Sequence, residues 1–208
     1  MKKNSYICLQ HKNIKMSNGK DILKKVHDSI KERFDMPSLD DIEAVKYPDP
    51  VEKFISMTTS AGGKVIEAEK GFDINSLIKE LFPDAVHIAS NLPEVTVADR
   101  NPDTVENAQD LNGTDVGVIR GEFGVAENAC IWVPQTMKEK AVCFISENLV
   151  ILLPKGNIVN NMHEAYKRIS FNEYGYGSFI SGPSKTADIA QVLVMGAQAA
   201  RSVTVILI

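Results

Sequence analysis

The segment SGPSKTADI, residues 181–189, combines a glycine–proline turn with hydroxyl groups and a positive charge. We predict that a strand enters this turn and that a short helix begins at Thr186 and runs to Gly196. Such a helix start leaves backbone N–H groups pointing outward, which suits an anion such as phosphate or carboxylate. The residues that we predict to bind the anion are Ser181, Gly182, Ser184, Lys185, Thr186 and Asp188.

The same residues also have a purely structural interpretation. Thr186 is a typical N-cap, and Asp188 is an acid of the kind that the helix dipole favours in the first turn. The segment lacks the glycine and lysine spacing of a Walker phosphate-binding loop. Residue types alone therefore leave both interpretations open.

A second segment, GEFGVAENAC at residues 121–130, interrupts two runs that are typical of strands. Glu127 and Asn128 fall at the interruption, which places the Glu127 carboxylate at a strand end. We predict Asn128 as a further ligand-binding residue. If burial raised its pKa, Glu127 could act as a nucleophile or general base. The alternative, which residue chemistry alone favours, is a turn or bulge in which Asn128 adopts a positive φ.

Cysteine and histidine usage argues against a metal or cluster site in this chain. Cys8, Cys130 and Cys143 form no close pair, and the four histidines lack the i, i+4 spacing that places two ligands on one helical face. We therefore expect that the chain binds no metal and no cofactor of its own, and that any iron–sulfur chemistry belongs to a partner.

Composition indicates a folded protein. Hydrophobic residues make up 44% and charged residues 24% of the 208 residues, with a net charge of −4, which is ordinary globular usage. No stretch reaches the run of about 18 apolar residues that a membrane span needs, and no apolar signal segment opens the chain. We expect a cytoplasmic protein with no nucleic-acid partner, because its basic residues form no block.

Hydrophobic periodicity divides the chain into an arm and a main domain. An apolar stripe from Lys20 to Phe34 predicts a helix that Pro37 ends, so residues 1–45 are predicted to be an N-terminal helical arm and linker. Residues 46–208 alternate helices with strands, which favours a parallel sheet. The first elements are a helix from Pro50 with a glycine cap, a strand in GKVIEAE, a helix capped by Asp73 and a strand in AVHIAS.

The second half of the main domain is predicted to be rich in strands. Residues 91–114 predict a long connection near a site. The β-branched runs between residues 115 and 154 are broken at Gly121, Gly124, Glu127–Asn128 and Glu147–Asn148, which predicts four closely spaced strands. A helix over residues 157–169 follows, with Ile158, Met162, Ala165, Tyr166 and Ile169 on its buried side. The last residues, SVTVILI, predict a buried central strand.

Taken in order, these segments resemble the LUD-domain family, which includes the lactate-utilisation C proteins of bacteria. The resemblance is strongest at SGPSKTADI, followed by Arg201 and the terminal SVTVILI strand, and weaker over GVIRGEFGVAENACIWV. It implies an open, mostly parallel α/β sheet flanked by helices, the fold shared with glucosamine-phosphate deaminases, ribose-phosphate isomerases and CoA transferases. Ligands of such sheets usually bind at the carboxyl ends of the strands, where both segments are expected, with Glu127 facing Thr186.

The resemblance also implies a function. Lactate-utilisation C proteins act in the oxidation of L-lactate to pyruvate with two iron–sulfur companion proteins, so this chain would be the non-redox component and would carry an anion-binding loop at residues 181–189. The alternative is a stand-alone acyl or CoA transferase, or a sugar-phosphate isomerase, that uses Glu127. Some CoA transferases use a glutamate in a Glu-Asn-Gly context, whereas here Ala129 follows Asn128. The ligand and the formation of a homo-oligomer are left open.

Overall fold

The computed structural model describes residues 19–30, 38, 42–69, 71–170, 174–186, 194–197 and 200–208. The chain divides into two compact units, Met1–Ile42 and Glu43–Ile208. In the first unit a helix forms over Gly19–Ser29, which begins one residue before the predicted stripe and covers most of it, and none of its side chains is buried. The end of the predicted helix at Pro37 lies outside the described residues, and the arm and linker over residues 1–45 stay a prediction.

Five helices and eleven strands are described. The helices are α1 (Gly19–Ser29), α2 (Pro50–Ser60), α3 (Ile74–Leu81), α4 (Val142–Ile145) and α5 (Met162–Arg168). The strands are β1 (Lys64–Glu67), β2 (Ile88–Ala89), β3 (Val116–Arg120), β4 (Phe123–Val125), β5 (Ile131–Pro134), β6 (Asn148–Leu153), β7 (Ile158–Val159), β8 (Gly177–Ile180), β9 (Lys185–Thr186), β10 (Val194–Met195) and β11 (Ser202–Leu207).

A five-stranded parallel sheet forms the centre of the second unit, in the order β1-β11-β6-β3-β2. The predicted terminal strand, β11, lies inside this sheet between β1 and β6. Alternate residues of β6 pack into different apolar clusters, with Leu149 and Ile151 on one side and Val150 and Leu152 on the other. Strands of a sheet that is covered on both faces are continuously apolar. The observed sheet confirms the predicted α/β fold with a mostly parallel sheet.

Two predicted helix caps are formed. The side chain of Asp73 accepts hydrogen bonds from backbone N–H groups in the first turn of α3 as predicted, and Asp49, for which no cap was predicted, does the same for α2. Gly62, just beyond α2, has a φ of +86°, the left-handed conformation that ends a helix without a Cβ penalty. These local signals therefore determine where α2 ends before β1 and where α3 begins before β2.

A second sheet lies outside the parallel one, in the order β7-β4-β5-β8. The predicted break at Gly124 is wrong, because Gly124 lies within β4. A Cβ there would sit 2.9 Å from a ring carbon of Phe54 and 3.0 Å from a methyl group of Leu153. The glycine lets α2 and β6 approach this strand instead of ending it.

Other predicted bounds in this half also change. Four strands, β3 to β6, form between residues 115 and 154 as predicted, but the apolar run before Glu147 is the helical turn α4. The predicted helix over residues 157–169 begins only at Met162, because residues 158–159 pair with β4 as strand β7. Ala165 is buried as expected, whereas Tyr166 is exposed. The connection over residues 91–114 holds only a short 3-10 helix at Ala108–Leu111.

Candidate functional site

Glu127 and Asn128 form the turn between β4 and β5. The turn is closed by a hydrogen bond from the N–H of Val125 to the carbonyl of Cys130, at 2.8 Å. The Asn128 side-chain oxygen accepts the N–H of Cys130 at 3.1 Å, which is a typical asparagine turn. The expectation that Asn128 carries the positive φ is wrong. Ala129 does so, with a φ of +57°.

The carboxylate of Glu127 lies against the start of α5. Its Oε1 accepts a hydrogen bond of 3.1 Å from the backbone N–H of Met162, the first residue of that helix. The backbone N–H of Glu127 donates to the carbonyl of Asn160 at 3.1 Å. The half-buried carboxylate accepts a hydrogen bond from a backbone N–H group that has no partner within the helix. Its negative charge is also stabilised by the positive N-terminal end of the helix dipole.

Ser181 joins this turn to the predicted anion-binding loop. Its hydroxyl donates to the backbone carbonyl of Asn128 at 2.8 Å. Burial raises the pKa of the neighbouring Cys130 thiol, and the negative charge of Glu127 raises it further, while a hydrogen bond with Ser181 acts in the opposite direction. Glu127, Asn128, Cys130 and Ser181 therefore form one cluster, in which the cysteine is kept as a neutral thiol.

The predicted tight turn at Gly182 is present. Gly182 has a φ of +64°, and a Cβ there would lie 2.8 Å from the backbone carbonyl of Ala61. The N–H of Ser184 donates to the carbonyl of Ala200 at 3.0 Å, and its own carbonyl accepts from Gly196. Internal partners thus already use the Ser181 hydroxyl and the Ser184 N–H.

The predicted helix start at Thr186 is wrong. Lys185 and Thr186 form the short strand β9, which pairs antiparallel with β10 before Gly196. The outward-pointing N–H groups of a helix are therefore not available at Thr186, and Glu127 does not face a helix there. Lys185 is exposed and supplies the positive charge of the loop. Asp188 lies outside the described residues.

The expected position at the carboxyl ends of the parallel strands is also wrong for this loop. Ser184 contacts Ala200, two residues before β11 begins, so it lies near the amino end of that strand. At the same edge Arg201 pairs with Glu147, the residue before β6, at 2.9 Å.

The carboxyl ends carry a different set of side chains, which sequence reasoning missed. Arg120, the last residue of β3, pairs with Glu94, and Lys155, just beyond β6, pairs with Glu67, the last residue of β1. Beside them is an open cleft of about 690 Å³. Its lining residues are Ala68, Glu69, Gly71, Phe72, Asp73, Ile74, Asn75, Glu94, Leu152 and Ile208. A partial signal was present, because Glu94 belongs to the long connection expected near a site.

Within the described ranges, no three His, Cys, Asp or Glu side chains come together as a metal site. Cys143 is buried, and burial raises the pKa of its thiol to about 12. The same ranges contain no helix with the length and apolar character that crossing a bilayer requires.

A parallel five-stranded sheet with a glutamate turn and a serine–glycine loop at its flank defines an α/β domain of the open-sheet class. Comparison with known proteins gives the family. The LUD domain model matches residues 51–208, about three quarters of the chain, and this chain belongs to the LUD domain family.

One solved structure supports the fold. It is a DUF162 family protein from Deinococcus radiodurans, with a TM-score of 0.60 and 12% sequence identity, and the match covers 79% of this chain and 99% of that one. At this identity the likeness shows the fold alone. No curated protein sequence matches this chain.

Proposed function

We propose that this protein is the non-redox component of an iron–sulfur system that oxidises L-lactate or a related organic acid, and that it binds a small anion at residues 181–186. The LUD family is associated with lactate utilisation, and the resemblance of the two motifs points to the same process. The single observation that carries the proposal is the 2.8 Å hydrogen bond between Ser181 and Asn128. It joins into one cluster the two segments on which the resemblance rests.

The chemistry of the loop favours an anionic ligand held mainly by charge. Lys185 is exposed and lies three residues after the Gly182 turn, so its ammonium group is open to an incoming anion. A carboxylate such as lactate or pyruvate matches a lysine ammonium group, and the Glu127 carboxylate is already engaged with Met162.

Thermal stabilisation tests the ligand part of this proposal. A ligand present at about 100 times its Kd stabilises the folded state by about 2.7 kcal/mol, which raises the Tm by roughly 5–10 °C for a domain of this size. We expect such a shift with L-lactate or pyruvate, and its loss in Lys185→Gln. Lys79→Gln, an exposed lysine of α3, is the matched control and should keep the full shift. If no organic acid stabilises the protein, the anion site is refuted.

Affinity capture tests the partner part. The tagged full chain should co-purify with the cysteine-rich iron–sulfur proteins of the same cell, and their clusters should be visible in the absorption spectrum of the complex. Capture of no such proteins from cells growing on lactate would refute the role as their companion.

The second candidate is a stand-alone acyl or CoA transferase that uses Glu127. The observation that favours it is the φ of +57° at Ala129, a conformation that glycine adopts without strain. Ala129 holds the place of the glycine in the Glu-Asn-Gly context, so the left-handed conformation falls at the position where that motif has its glycine. A sugar-phosphate isomerase using the same carboxylate is the weaker form of this alternative.

Turnover by the isolated chain separates the two candidates. A transferase should exchange CoA between an acyl-CoA and a free carboxylic acid without any partner, and Glu127→Gln should abolish that exchange. Glu122→Gln is the control, since Glu122 lies in the same segment but is exposed. No exchange by the wild-type chain, or equal exchange by both variants, would exclude Glu127 as the nucleophile.

A further inference from the structure

Helix α1 exposes an apolar stripe. Ile22, Leu23, Val26 and Ile30 are 51%, 70%, 54% and 51% exposed. At ideal helical spacing they fall within an arc of about 100°. An isolated helix of this length is only marginally stable in water. The stripe is therefore a surface that gains by being covered with apolar material.

The charge around this stripe is strongly positive. The first 25 residues contain seven lysines and a single acid, Asp21, whereas the other 183 residues contain 16 basic and 26 acidic residues. Residues 1–25 thus carry a net charge of +6 and the rest of the chain −10. On the helix, Lys20 and Lys25 each lie about 60° outside the apolar arc, one on either side.

We propose that α1 binds the surface of a membrane that contains anionic phospholipids. The apolar stripe enters the interface between headgroups and acyl chains, and the flanking lysines contact phosphate groups, as in interfacial amphipathic helices. The proposal is independent of the ligand site and of the proposed function.

Charge and apolar exposure together favour a membrane over other partners. A nucleic acid would attract the lysines but would leave Ile22, Leu23 and Val26 in water. Pairing of this helix with the same helix of a second copy would bring together two segments of +6 each, which repel one another. An anionic bilayer offers negative charge and an apolar layer side by side along the whole length of the stripe.

Flotation of the full chain with lipid vesicles tests the proposal. The protein should float with vesicles of equal parts phosphatidylcholine and phosphatidylglycerol, and not with phosphatidylcholine alone. Leu23→Glu should reduce partitioning at least about tenfold, and Lys20→Gln with Lys25→Gln roughly thirtyfold. Binding should also weaken as salt rises, because salt screens the lysines.

Matched variants elsewhere in the chain provide the controls. Val86 is 74% exposed, so Val86→Glu makes the same kind of change as Leu23→Glu outside the arm. Lys64→Gln with Lys79→Gln removes two charges outside α1. Both control proteins should bind the vesicles as the wild type does.

Three results would overturn the proposal. One is the absence of binding to the anionic vesicles. Another is binding that depends on the lysines but not on Leu23, together with equal retention on a DNA duplex, which would assign the arm to phosphate backbones. The third is a change in molar mass or Tm of Leu23→Glu without vesicles, which would place the stripe against a protein surface.

Discussion

Replacing Ala129 by glycine should leave the stability almost unchanged, although the methyl group that it removes is buried. Ala129 is 1% exposed and has a φ of +57°, and an L residue in this left-handed region costs about 1–2 kcal/mol. Glycine avoids that cost. Against this gain stand about 0.8 kcal/mol for the lost buried methyl group and about 0.5–1 kcal/mol for the flexibility of glycine. The terms offset, so the net change should lie within about 1 kcal/mol of zero.

Ala165→Gly is the matched control. Ala165 is 0% exposed but lies within α5, so glycine there brings both losses and no relief, and should destabilise by about 1.5–2 kcal/mol. Urea denaturation of the two variants and the wild type gives the free energies of unfolding, with similar slopes expected for all three. Equal losses in the two variants would show that residue 129 is not left-handed in solution, and the geometry assigned to the glutamate turn would be refuted.

Three further predictions concern the packing and electrostatics of the second unit. A Cβ on Gly177 would lie 2.2 Å from Cζ2 of Trp132, a nearly buried side chain, so Gly177→Ala should cost about 1–3 kcal/mol and alter tryptophan fluorescence; an unchanged urea midpoint would contradict this. Because burial raises the pKa of Cys143 to about 12, its thiol should react with a disulfide reagent at about pH 8 only after unfolding, and the folded wild type and Cys143→Ser should titrate alike. A hydrogen bond from the backbone N–H of His87, with a second one from Val86, lowers the pKa of Asp115 below its usual 3.8. The ionised Asp115 carboxylate therefore stabilises the fold at neutral pH, and this stabilisation disappears as the pH falls through the lowered pKa. The Tm difference between wild type and Asp115→Asn should shrink below pH 3.8. A Tm difference that stays constant with pH would contradict this prediction.

The parallel sheet could be predicted because its signals are local and repeated. Strands covered on both faces are continuously apolar, as in β6 and β11, and Pro50 and Asp73 mark where the first two helices of this unit begin. The short runs were harder. The run AVCFI before Glu147 is rich in β-forming residues, yet it forms one helical turn, in which Val142 and Cys143 are buried. Period alone does not separate a strand from a helix over four or five residues.

The sequence offered candidate site residues but not their geometry. The residue types around Thr186 fit an N-cap, but pairing with β10 makes it part of a strand, so a tertiary contact overrides the local preference. The contact between Ser181 and Asn128 joins residues 53 positions apart, and no periodicity encodes such a distance. Gly124 was misread for the same reason, since Phe54 and Leu153 decide why a glycine is needed there.

The internal hydrogen bonds of the 181–186 loop determine how it would bind an anion. The Ser181 hydroxyl is directed at Asn128, and the Ser184 N–H at Ala200, so an incoming carboxylate would have to replace bonds that already exist. Each exchange of one hydrogen bond for another changes the free energy little. The net attraction therefore has to come from the charge of Lys185, which is exposed and screened by salt. Affinity at this loop should consequently be modest in the isolated chain, and a partner that shields Lys185 from solvent would strengthen it.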